Sequence, residues 1–235
     1  KKAAQQTSQN QQGSAQQTQQ QAELGLEQML SSLKEAERRE LAKLREELAK
    51  IQEQVATLIR RQSGHNLDNL LLQGPDKLKS VDAKLLAELT EKSQRKPDQV
   101  KPPEMRLLSS GQELTERNAR DLGRTAEAKP DTAEIASRLT KAAGKMERAI
   151  VHLRAGKLPD AYDPPQIEAL AALDEAKKLV DDQKKNADQK SQEQQREAIR
   201  QRYVKIKEQQ DKINAATTKV EKSRGKDGAI PRTEW

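Results

Sequence analysis

The segment LAKLREELAKIQEQVATLIRRQ, residues 41–62, constrains this chain more than any other. Leu41, Leu44, Leu48, Ile51, Val55 and Leu58 recur at spacings of three and four. That spacing is the a/d seam of a coiled coil. A seam this narrow cannot cover itself, so it demands a second helix. What that helix is must come from the rest of the chain.

The supply of side chains limits the answer. Aromatic residues are Tyr162, Tyr203 and Trp235 alone, and there is no Phe. A globular core of this size normally draws much of its buried area from aromatics, at roughly 150–250 Å² each. Here the apolar surface must be buried between helices by Leu, Ile, Val and Ala. The charged fraction of 34% and heavy use of Ala, Glu, Lys, Leu, Arg and Gln point the same way. The expected fold is all-α, an elongated helical bundle with long coiled-coil arms.

Zero cysteines exclude disulfides, thiol catalysis and Cys-based zinc sites. The longest large-apolar run is Leu70–Leu72, far below the ~18–20 residues of a membrane span, so no transmembrane segment is expected in this chain. No signal peptide is visible. The chain opens at Lys1 without Met and stops at IPRTEW, which reads as a processed or partial chain.

Five segments follow from the patterning. Residues 1–22 hold ten glutamines and neither an acidic nor a large apolar side chain, a low-complexity lead for which disorder is the default unless helix propagation from residue 23 or a partner orders it. Residues 23–75 form a long coiled-coil segment, helical over 23–63. Leu26, Leu30 and Leu33 join the later register through a stutter at Glu37. Glu35–Arg39 and Glu46–Lys50 are favourable i,i+4 pairs. SGHNLDNLLLQGP then loosens the helix, and Gly74-Pro75 ends it. Residues 76–163 form a bundle of short helices over 76–95, 104–127 and 131–155. These carry Leu78, Val81, Leu85 and Leu89, then Leu107, Leu108, Leu114 and Leu122. The third carries the cleanest short seam, Ile135, Leu139, Ala142, Met146, Ala149 and Leu153. Asp131 and Glu134 suit a capping box at its start, and Gly156 and Pro159 mark its stop.

Residues 164–224 form one long basic helix, followed by a tail at 225–235. Its apolar positions Ile167, Leu170, Leu173 and Val180 close the bundle. Residues 181–197 are polar on every face. A seam returns at Ile199, Tyr203, Ile206, Ile213 and Val220, with Gln210 and Thr217 between. If Leu58 lies level with Val180, the strong seam of Leu41–Leu58 meets that polar stretch. Either the register is shifted or the seam pairs with another chain, and self-association is the expectation.

Catalytic signatures are weak. His65 lies in a polar stretch suited to a turn or cap, and His152 sits mid-helix; neither has ligand-spaced company. Carboxylates alternate with Lys and Arg as on a solvated helix face. AAGKMERA at 142–149 lacks the first glycine of a P-loop, and Met146 stands where Ser or Thr would meet magnesium. No enzyme activity, cofactor or metal is expected.

Residues 175–224 hold fourteen Lys/Arg against nine Asp/Glu, a difference of +5. This admits salt-sensitive binding to nucleic acid or an anionic membrane surface. The charges are interleaved, however, and aromatics for stacking on bases are nearly absent. A shared Leu/Ile–Gln rhythm recurs without the fixed period of a solenoid.

MERAIVHLRAGKLPDAYDPPQIEALAALDEA reads as a helical hairpin and resembles hairpins in bacterial envelope coiled-coil proteins. The resemblance covers about 30 residues and its positions are generic. It implies an extracytoplasmic structural or tethering segment, in the periplasm or cell envelope with the cytoplasm as the alternative, and assigns no active residue. The expected role is a structural scaffold, stalk or spacer in a larger assembly. Its partners would be copies of itself or other helical subunits, joined through Leu41, Leu44, Leu48, Ile51, Val55, Leu58, Ile199, Tyr203, Ile206 and Ile213. The alternative is the basic helical module.

Overall fold

A computed structural model describes residues 2–95 and 104–222; the expected tail at 225–235 lies outside them, as does the side chain of Val220. Among the described residues every regular element is helical, and the fold is all-α. The helices are α1 (Lys2–Leu72), α2 (Pro75–Ser80), α3 (Ala83–Ser93), α4 (Met105–Glu127), α5 (Ala133–Arg154), α6 (Leu158–Ala161) and α7 (Ile167–Lys222). A 3₁₀ turn at Pro130–Thr132 precedes α5, and a π turn at Tyr162–Gln166 leads into α7.

Two compact units divide the chain: Ala42–Ala187, and Lys1–Leu41 with Asp188–Trp235. The first is a four-helix bundle whose topology can be read from its side-chain pairs. Glu47 meets Lys129, and Gln62 meets Gln112, so α1 and α4 run antiparallel. Arg120–Glu147 and Arg154–Glu113 set α4 against α5 the same way. Arg138–Glu175 and Lys145–Glu168 do so for α5 and α7. Gln52–Asp181 and Asn69–Gln166 close the ring between α7 and α1. Each helix is therefore antiparallel to both neighbours, the up-down arrangement of a four-helix bundle. Outside the ring, α3 is tied to α7 by Lys92, whose ammonium lies 2.6 Å from Asp174 and 2.7 Å from Glu88.

The expected α5 seam forms: Ile135, Leu139, Ala142, Met146, Ala149 and Leu153 are all buried. Alanines on this face let the neighbouring helices approach closely. Gly123 of α4 goes further, since a Cβ there would sit 3.2 Å from Thr140 Oγ1 and 3.5 Å from Leu139 Cβ. At the end of the bundle where α5 turns, Leu108, Leu153 and Ala161 form a buried cluster with Leu72, Met105 and Leu158 packed against it. Gly156 makes the turn after α5 with φ +71°, a conformation that Cβ-bearing residues disfavour.

Four local expectations are corrected. α1 does not loosen at residue 63 but continues to Leu72, and Gly74, at φ +99°, ends it. The helix also runs back through the Gln-rich lead to Lys2. Gln is a good helix former, and extending an existing helix costs far less than nucleating one. The capping box before α5 is not made: Thr132 is the cap residue, and no side chain caps the helix amides. Instead the Thr132 hydroxyl donates back to the carbonyl of Ala126, closing the α4–α5 corner. Finally, Leu107 and Leu114 of α4 face solvent, while Gln112, Thr115, Ala119, Leu122 and Ala126 form its buried face. Spacings of three and four place those five on one stripe; the leucines were the more hydrophobic choice but lie on the other side.

In the second unit, Arg38 Nη2 of α1 donates to the Gln194 carbonyl of α7 at 3.5 Å. The expected i,i+4 pairs form on α1, Glu35–Arg39 at 3.5 Å here and Glu46–Lys50 at 2.7 Å in the bundle.

Candidate functional site

The seam that opened the question has its partner inside the chain. Leu48, Ile51, Val55 and Leu58 are buried within the bundle, and Leu41 and Leu44 are half-buried. The expectation that this seam meets another chain is corrected: Leu48 to Leu58 are covered by the chain's own bundle, in a register shifted from the one expected. Gln52 donates to Asp181 Oδ1 at 2.5 Å and accepts from Lys184 Nζ at 2.8 Å. Counting along antiparallel helices from that pair, Leu58 falls level with Glu175 and Ala176, not with Val180. By the same count Leu58 and Val55 fall level with residues 175–178, beside the fully buried Ala176 and Val180, while Ile51 and Leu48 fall level with residues 182–185. Gln52 meanwhile ties the seam's polar border to Asp181 and Lys184.

Beyond Leu58 the same stripe continues with amides, a feature the sequence reading missed. Gln62, Asn66 and Asn69 of α1, Gln112 of α4 and Gln166 at the entry to α7 are at most 1% exposed. Gln112 Nε2 donates to Gln62 Oε1 at 2.6 Å, and Gln62 Nε2 donates to Asn66 Oδ1 at 2.8 Å. Gln166 Nε2 donates to Gln112 Oε1 at 3.0 Å, and Asn69 Nδ2 donates to Gln166 Oε1 at 2.8 Å. Gln73 extends the network by donating to Asn69. Each amide supplies a donor and an acceptor, so the layer satisfies itself across three helices without charge. The available signal was spacing: Leu58, Gln62, Asn66, Asn69 and Gln73 continue the seam by steps of three and four.

His65 belongs to this region rather than to a turn. Its Nε2 lies 2.9 Å from Thr115 Oγ1, while that hydroxyl donates to the Gly111 carbonyl at 3.0 Å. With the hydroxyl proton so used, the ring Nε2–H is the donor to Thr115. Gly111 is the reason the ring fits: a Cβ there would stand 2.8 Å from His65 Cε1. Burial, then the nearby Arg95 charge, pull the imidazole pKa down to about 4, against an opposing hydrogen bond with the Gly111 backbone; Arg61 adds to the depression. Arg95 is held by Asp68 at 2.9 Å. His152 is half-buried on α5.

A groove of about 550 Å³ runs between α1 and α4, lined by Glu53, Thr57, Arg61, Asn118, Asp121 and Thr125 among others. No group of three or more His, Cys, Asp or Glu is placed to hold a metal ion among the described residues. No described helix is long and apolar enough to cross a membrane.

The second part of the expected interface is not made within the chain. Ile199, Tyr203, Ile206 and Ile213 of α7 are 53–71% exposed. Leu24, Leu26, Met29, Leu30 and Leu33 of α1 are likewise exposed. The fold thus defines an all-helical protein with a packed antiparallel bundle and a second helical unit whose apolar stripes lie open. No family model, curated protein or solved structure matches the chain.

Proposed function

We propose that this chain is a non-catalytic, structural helical segment of a larger, homo-oligomeric assembly, joined through the unit formed by Lys1–Leu41 and Asp188–Trp235. One observation carries the reading. Of the fourteen exposed large hydrophobic residues among those described, ten fall within residues 24–33 and 199–213. Scattered apolar residues need no explanation, but a concentration of this kind marks an interaction surface. The polar core of the bundle supports the same reading, because its amides neither titrate nor attack a substrate; they select which helices pair and in what register. Sedimentation velocity of the full chain over a tenfold concentration range tests this. A mass above that of the 26.4 kDa monomer, rising with concentration, is expected; a monomer throughout removes the proposal.

A second reading rests on charge. Residues 196–219 hold seven Lys/Arg against three Asp/Glu, a difference of +4, and a basic helical module would bind polyanions or anionic lipid through them. Its signature is affinity that falls steeply with salt. Binding unaffected by the change Arg202→Glu/Lys207→Glu would exclude it.

A further inference from the structure

We infer that the open stripe of α1 in one copy packs against the open stripe of α7 in a second copy, so that two such units join as a four-helix assembly. This rests on the homo-oligomeric reading above and names its surface.

The α7 stripe is Ile199, Tyr203, Ile206 and Ile213, with Gln210 between them, all exposed. Steps of four, three, four and three make it a strict a/d seam, the narrow geometry that seats another helix rather than the broad apolar face of a helix lying in lipid. Its borders are basic: Arg200 and Lys207 follow d positions, and Arg202 precedes an a position. An identical α7 stripe laid on it would set those cations against one another in either direction.

The α1 stripe has the opposite sign. Leu26, Leu30 and Leu33 keep the same spacing and are 54–67% exposed. Residues 24–37 hold three acidic side chains, Glu27, Glu35 and Glu37, against one basic, Lys34, a difference of −2. Glu27 and Lys34 both follow d positions and border the stripe, and Glu37 continues it four residues beyond Leu33. The basic α7 stripe is self-repelling, and the net-acidic segment that carries the α1 stripe complements it.

The test uses the full chain and three variants: Glu27→Lys/Glu37→Lys, Arg202→Glu/Lys207→Glu, and all four changes together. All four sites are exposed, so helix content by circular dichroism and the urea midpoint should match the parent and certify folding. Each double variant should associate about tenfold more weakly, as several lost or reversed ion pairs imply. The fourfold variant, with both signs reversed, should regain the parent's association. If the parent is monomeric throughout, both this pairing and the homo-oligomeric reading fall. If the parent associates but neither double variant weakens it, or the fourfold variant stays dissociated, only the α1–α7 pairing is overturned. Monomeric parent that binds vesicles of anionic phospholipid, and loses them with Arg202→Glu/Lys207→Glu, overturns it in favour of a lipid surface.

Discussion

Gln112 Nε2 of α4 donates to Gln62 Oε1 of α1 at 2.6 Å, and neither side chain is exposed to any degree. An amide pair in a helical core is tolerable only when every donor and acceptor is met, since an unmet group loses its water without replacement. Replacing Gln112 with Leu leaves Gln62 and Gln166 short of a partner. The expected loss is about 1–3 kcal/mol of bundle stability, read as a lower urea midpoint with the slope unchanged. A variant as stable as the parent would mean the network contributes nothing net.

His65 makes the stability of the bundle depend on pH. Its folded pKa of about 4 lies below the ordinary imidazole value of 6.5, so the unfolded chain takes up the proton first. Stability is therefore full above pH 6.5 and falls as pH drops toward 4, below which this contribution is spent. A difference of that size is worth about 3 kcal/mol at most. Chemical denaturation at pH 7 and pH 4.5 measures it, with His65→Gln as the reference in which this component of the slope should vanish.

Gly111 is required by close approach rather than by backbone conformation. Changing it to Ala places a methyl 2.8 Å from His65 Cε1, and the ring is held by Thr115. The ring must shift or lose that bond, at a cost of roughly 1–3 kcal/mol. The double variant Gly111→Ala/His65→Ala should recover part of the loss, because the obstructing ring is gone. Additive losses would place the strain elsewhere.

The two halves of the expected interface should respond differently to mutation. Leu48 is fully buried in the bundle, so Leu48→Ala should lower stability by about 2–5 kcal/mol. The mass distribution under native conditions should not change. Ile206 is 60% exposed, so Ile206→Ala should leave the unfolding of the dilute monomer within about 0.5 kcal/mol of the parent. If Leu48→Ala instead dissociates an assembly without weakening the bundle, the seam is intermolecular after all.

Helix identity was legible because it is local. The spacing of Ile135 to Leu153 on α5, the i,i+4 pairs and the stop at Gly156 all appear in the structure where the periodicity places them. The end of α1 was not legible in the same way. SGHNLDN looks like a break because Ser, Gly, Asn and Asp favour turns in isolation. Inside the bundle, the Asn66 and Asn69 side chains find partners on other segments, and the competing local bonds lose their advantage. Leu107 and Leu114 show the converse, since hydrophobic residues were assigned to a core that packs a Gln, a Thr and two Ala of the same helix.

The sequence by itself determined that this chain is helical and where most of its helices fall, because propensity, apolar spacing and glycine stops act within a few residues. It also carried the stripes on both helices that remain open. Tertiary structure decided which stripe is used within the chain. Val55 and Leu58 are covered because the antiparallel register set by Gln52 with Asp181 and Lys184 brings Ala176 and Val180 opposite them. The amides beyond Leu58 are core residues for the same reason: a polar group becomes compatible with burial only when another helix supplies its hydrogen bonds, and that partner lies 50 or more residues away.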